Sequence, residues 1–259
     1  MSFNNKVGVI MNLYYICMFF VIGFYLGDLY SIIGYRLPNK EKIIYPSVNG
    51  EDNRIYLVKL IPFFSYFILR RRGNEEVSLM NLLFCLLSGI LFVVSYLLFG
   101  ISIKCLFSLT FISMLLVIIV SDYYYMIICD EVLVTFGIIL LLEIYIISGI
   151  SGLINAFIGG VVSFGIMFLI KIIGDFIFKK ESMGGGDIKL LLIFGMVLGL
   201  PTSLFTIFIG SLLALPTSIM SLKKNDSHIL PFGPFLSMAA IILMLFNTTL
   251  TNLFTEILF

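Results

Sequence analysis

Glu181-Ser182-Met183-Gly184-Gly185-Gly186-Asp187-Ile188-Lys189 interrupts a chain of otherwise membrane-grade apolar sequence. Three consecutive glycines let backbone or substrate come close and permit φ > 0. An ionisable group beside the hydrocarbon is costly and usually functional. The stretch therefore ends one hydrophobic segment, opens the next, and sets a carboxylate at the mouth of the new one. What surrounds it decides what the carboxylate is for.

The 259 residues are 60% hydrophobic and 12% charged, with a mean hydropathy of +1.13. Soluble domains carry about 25% charged residues, so this is an integral membrane protein with the lipid bilayer as a partner. Taking about 20 apolar residues per crossing, spans fall at 7–27, 79–99, 103–121, 127–148, 152–174, 188–200, 202–222 and 230–250. The sixth is short, and Gly199 with Pro201 separates it from the seventh. Residues 7–27 run past the length of a signal-peptide core into Gly27-Asp28-Leu29-Tyr30 with no small-residue cleavage site, and read as a retained span. The expected fold is all-α: a polytopic transmembrane helical bundle of about eight spans, with a small cytoplasmic loop domain after the first. The boundaries are 1–34 for the first span, 35–78 for the basic loop and 79–259 for the main membrane domain.

Charge orients the bundle. Eight of the sixteen Lys and Arg lie in the loop after the first span: Arg36, Lys40, Lys42, Arg54, Lys59, Arg70, Arg71 and Arg72. Lys179, Lys180, Lys223 and Lys224 fall on the same side, whereas the loops at Gly100, Gly149 and Pro201 carry almost no positive charge. By the positive-inside rule the charged side is cytoplasmic. Asp122 ends the third span and Asp187 opens the sixth, so both reach that cytoplasmic boundary. A net charge of +1 and the lack of a basic tract argue against nucleic acid.

Two carboxylates at one wet boundary suggest an aspartyl dyad. Close carboxylates share a proton. One can then act as base on a water while the other polarises a peptide carbonyl. As a bare topological feature, Asp122 is equally the first polar residue after a helix. Asp130, beside Glu131, reads first as a cap that complements a helix N-terminus. Asp28 is either an interfacial anchor or a residue facing the site. Asp175 can pair with Lys171 and Lys179 at i,i+4 spacing. Glu143 either faces the bundle interior or lies near the outer interface. Lys189 can act on Asp187 by proximity or reach toward the interface.

Other chemistries have little to draw on. His228 is the only histidine, and Cys17, Cys85, Cys105 and Cys129 form no CxxC pair. The glycine run lacks the GxxxxGK[ST] pattern of a phosphate loop. A helix-packing role for the glycines is plausible, but it leaves Asp187 unexplained.

With these residues in hand, the chain resembles the type IV prepilin peptidases, a family of GxGD membrane aspartic proteases. Met183 to Leu191 looks like the GxGD signature, and Asp122 with Asp130 is similar to the family's first aspartate motif, although Cys129 stands where proline is usual. Further matches are Gly27 with Tyr35-Arg36-Leu37-Pro38, Ile61-Pro62-Phe63-Phe64-Ser65-Tyr66 before Arg70 to Gly73, and Leu230-Pro231-Phe232-Gly233-Pro234-Phe235. They run in the family's order over roughly residues 19 to 240.

The resemblance implies an aspartic endopeptidase of the bacterial cytoplasmic membrane, its site on the cytoplasmic side. Its partners would be type IV prepilin or pseudopilin precursors, whose basic leader it removes. Family members typically cut after glycine and then methylate the new N-terminal residue, often Phe, with S-adenosylmethionine as donor. By position, Asp122 and Asp187 would be catalytic. Gly184, Gly185, Gly186 and Lys189 would serve the approach of substrate and backbone, and Asp130 and Asp28 would support. Many members carry two CxxC pairs with zinc-like spacing in the first loop. Here those regions read Pro46-Ser47-Val48-Asn49-Gly50-Glu51 and Arg71-Arg72-Gly73-Asn74-Glu75-Glu76, so no zinc or other metal is expected and methylation stays open. Proteolysis itself needs no cofactor. The competing readings are another GxGD protease, preflagellin- or presenilin-like, and a cation-binding transporter with broken helices. The transporter would be expected to show an internal repeat, which the two halves lack.

Overall fold

A backbone in hydrocarbon can satisfy its N–H and C=O groups only internally, so apolar runs of this length become helices. The computed structural model describes residues 2–40, 75–179, 183–223 and 230–258, with side chains described over 11–40, 81–179, 183–221 and 230–246. Its helices are α1 (Ser2–Arg36), α2 (Glu75–Phe99), α3 (Ile103–Tyr125), α4 (Asp130–Phe178), α5 (Gly185–Leu198), α6 (Leu200–Lys223) and α7 (Gly233–Leu258). Among the described residues there is no strand. Five helices (α1, α2, α3, α4 and α6) are long and apolar enough to cross a membrane, and α7 adds the apolar stretch Gly233–Phe246. The expected all-α, polytopic fold is what is found. The Pro46 to Glu51 region, residues 71–74 of the second zinc-cysteine region and the Ile61 to Gly73 matches fall outside the described residues, as does His228; Glu75 and Glu76 open α2.

α4 has 49 residues. A straight helix of that length would be about 73 Å long, against about 30 Å of hydrocarbon. It is not straight. Gly149 breaks it with φ 66° and ψ −158°, a conformation that needs glycine. The packing shows that the two arms fold back. Gly137, before the break, lies against Ile193 of α5, and Gly160, after it, lies against Leu192 and Met196 of the same helix. Points so far apart on one rod could not both touch one turn of α5. The break falls between the expected spans 127–148 and 152–174.

The chain divides into two compact units, Met1–Cys105 and Leu106–Phe259. In the first, α1 and α2 pack antiparallel along a small-residue seam. A Cβ on Gly23 would stand 2.8 Å from Cβ of Phe92, and one on Gly27 would stand 2.8 Å from Cα of Cys85. This is the close approach that glycines four apart allow between membrane helices. Farther along, Tyr96 stacks on Phe19 at 4.9 Å and donates its hydroxyl to Asn12 at 3.2 Å.

In the second unit α3 is the core helix. Phe111, Ile112, Leu115 and Ile118 are fully buried, as are Leu190, Leu191 and Phe194 of α5. Phe111 meets Phe194 edge-on at 5.9 Å. Gly195 of α5 lies against Gly159 of α4 with no room for a side chain on either. The Ser163 and Ser203 hydroxyls join α4 to α6 at 2.7 Å. α5 ends at Gly199, whose φ of 80° breaks the chain, and Pro201 sits in the first turn of α6, where proline is tolerated. Glu143 faces inward: it is buried and accepts the Thr110 hydroxyl at 2.8 Å, while its second oxygen has no hydrogen-bond partner among the described residues.

Candidate active site

Both aspartates are placed by helix termini. α3 stops one turn after Asp122, where Met126 takes the left-handed conformation (φ 54°) and donates its N–H to the Asp122 carbonyl at 2.9 Å. That αL cap turns the chain toward α4. Asp187 lies in the first turn of α5, behind Gly184, which precedes the helix at φ −65° and ψ 142°. None of Gly184, Gly185 and Gly186 uses a positive φ. The glycines matter for what they leave out. A Cβ on Gly186 would press on Ile128, one on Gly184 would touch a carboxylate oxygen of Asp187 at 3.6 Å, and one on Gly185 would meet nothing.

The fold brings Asp122 and Asp187 together. Only 5% and 8% of their surfaces are exposed, and they are close enough for their charges to interact. Both line one cavity of about 780 Å³, built from the α3–α4 connection, the start of α5, one face of α6 and the entry to α7. Asp122 is held from a direction that sequence reasoning gave no role. The Gly233 amide, at the start of α7, donates to Asp122 Oδ2 at 3.0 Å. The first N–H groups of a helix lack intrahelical partners and favour an acceptor of negative character. Position 233 must be small as well, because a Cβ there would come within 2.6 Å of the same oxygen. The only signal in the sequence was Pro231-Phe232-Gly233-Pro234, recognisable as a motif but silent about a main-chain donor.

The remaining candidates sort differently. Asp130 lies in the first turn of α4, where an acid complements the helix N-terminus, but it is not the cap. The residue at the cap is Cys129, without a side-chain hydrogen bond, and Asp130 instead takes Lys189 Nζ on both carboxylate oxygens at 2.7 and 2.8 Å. The pair is exposed at the cavity rim and ties the start of α4 to the first turns of α5. Lys189 is thus engaged with Asp130. Asp28 belongs to the first unit, where it is buried on α1 near Cys85, while every cavity-lining residue belongs to the second. Burial, with Glu131 and Asp130 nearby, pushes the Cys129 thiol up to about 11. It stays protonated at neutral pH and is no thiolate nucleophile. Among the described residues, no three His, Cys, Asp or Glu side chains cluster as metal ligands. The arrangement can activate a water between two carboxyl groups in a partly apolar cleft.

The sequence matches two family models. The type IV leader peptidase family is matched over residues 109–219, the segment holding both aspartates, and the bacterial Peptidase A24 N-terminal domain over residues 21–99. A relative, the prepilin leader peptidase/N-methyltransferase of Bacillus subtilis (strain 168), is 27% identical over 247 residues, which cover 92% of this chain and 96% of its own length. No solved structure matches the chain.

Proposed function

This chain belongs to the type IV leader peptidase family, and from that premise we propose that Asp122 and Asp187 are its catalytic pair. The protein is a membrane-embedded endopeptidase that removes leader peptides from type IV prepilin-like precursors. The observation that carries the assignment of residues is the convergence of two buried carboxylates, from different helices, on one open cavity.

In the proposed reaction one carboxylate of the pair accepts a proton from water as the water oxygen bonds to the scissile carbonyl carbon. The protonated partner hydrogen-bonds the carbonyl oxygen and supports the tetrahedral intermediate. Breakdown passes a proton to the departing amine, breaks the C–N bond and returns the pair to its one-proton state. The Gly233 amide keeps Asp122 oriented throughout. The cleavage site is cytoplasmic-facing in a bacterial cytoplasmic membrane: the charge bias of the loops supports this reading, with the precursor's basic leader outside the bilayer and its apolar segment within.

Replacing Asp122 or Asp187 by Asn should lower cleavage of a model prepilin by about 10²- to 10⁴-fold, the range for losing a general acid or base. Unimpaired processing by either variant removes that residue from the pair. N-methylation of the new N-terminus, with S-adenosylmethionine as donor and no zinc in the first loop, is the second activity we propose to test. Mass spectrometry of the cleaved product with the donor present reads it directly, and a persistently unmodified amine under active cleavage assigns the chain a peptidase role alone.

A further inference from the structure

Small residues on a membrane helix ordinarily let a neighbouring helix come close. On α6, Gly210, Ala214 and Ser218 recur every four residues and so share one face. The first is used for packing. A Cβ on Gly210 would stand 3.3 Å from Cα of Leu236, so α6 and α7 are in contact there. One and two turns farther along, Ala214 and Ser218 line the cavity instead. Across it stand Phe232 and Phe235, and the same space holds both aspartates. Asp187 is more than nine-tenths buried, and no hydrogen bond to its carboxyl group is found among the described residues. The small side chains thus preserve a space that no helix fills, beside a carboxyl group facing into it.

We propose that this α6–α7 cleft is the subsite for the first side chain after the scissile bond, and that Ala214 sets its size. The proposal rests on the peptidase reading above and adds the specificity element. Its assignment follows from the lining. On α6 the cleft extends from Ser211, next to the Gly210–Leu236 contact, to Ser218, and Phe232 and Phe235 at the entry to α7 complete it. Ala214 with the two aromatic rings suits the substrate's apolar, membrane-resident half. The charged pair Asp130 and Lys189 stands instead at the rim, on the α4–α5 side. The basic leader therefore leaves by the rim, and the apolar side enters the cleft.

The test uses the full-length protein in lipid nanodiscs with three model precursors carrying Ala, Leu or Phe directly after the cleaved bond. Ala214→Phe should lower kcat/KM for the Phe and Leu substrates by about 10- to 200-fold, the range a mismatched apolar pocket supplies, and leave the Ala substrate near wild type. Leu215→Phe, on the exposed face of the same helix, should change none of the three. Should Ala214→Phe fail to fold, Ala214→Val should give a smaller loss in the same order. Equal loss for all three substrates, or no loss, overturns the subsite. If the wild type cleaves none of them, the peptidase reading itself has failed and the subsite falls with it, an outcome distinct from equal loss by a variant.

Discussion

The two ends of α5 use glycine for opposite purposes. Gly195 lies where α4 and α5 touch backbone to backbone, and its missing side chain is taken up by Gly159 and Ser163. Gly185 lies at the other end, where an added Cβ would meet nothing, and it borders the cavity beside Asp187. The α1–α2 seam repeats the first pattern with Gly23 and Gly27. A glycine count cannot separate the two uses, but the neighbours of an absent atom can. One class brings helices together; the other keeps a space clear.

Alanine scanning of these positions is the way to break that distinction. The largest effect is expected at Gly233, which belongs to neither class because its neighbour is a carboxylate oxygen. Gly233→Ala should displace Asp122 and lower cleavage by about 10²-fold, as misplacing a catalytic group by about 1 Å can, with little change in unfolding temperature. Next comes Gly195→Ala, where backbone atoms cannot yield. Overpacking there should cost about 1–3 kcal/mol, read as a lower unfolding temperature in detergent. Gly185→Ala should act in the reverse sense and stabilise by about 0.5–1 kcal/mol, because a helical glycine gives way to a better helix former in open space. If Gly185→Ala destabilises as Gly195→Ala does, the distinction between the two ends of α5 is wrong.

Smallest of all is Lys189→Gln. Its ion pair with Asp130 is more than half exposed, and such pairs contribute under about 1 kcal/mol. Cleavage should change by only a few-fold, and raising the salt concentration should erode the difference between variant and wild type.

How much of this was legible in the sequence depended on how local the cause was. The hydrophobic segments and the breaks at Gly149 and Gly199 follow from run length and from residues that tolerate unusual dihedrals. The aspartates could be assigned to one boundary by counting crossings and basic loops. What escaped reading was carried by partners distant in the chain. The donor that holds Asp122 is a main-chain N–H 111 residues away, and no side chain announces it. Asp130 looked like a local cap because the start of a helix is next to it, yet its partner lies 59 residues on. Glu143 could not be assigned a direction because its helix is apolar on every side, which removes the amphipathic signal that tells inside from outside. Only the packing of Thr110 against it decides.

Gly149 carries a consequence larger than its own turn. Each crossing of a bilayer reverses the side on which the chain emerges, so the side reached by any residue depends on whether an even or odd number of crossings precedes it. By folding α4 back on itself, Gly149 adds one reversal to everything downstream. Without that reversal, α5 would begin on the face opposite to the end of α3, with Asp187 and Asp122 separated by the thickness of the membrane. A residue that touches neither carboxylate thus fixes the parity that lets them meet.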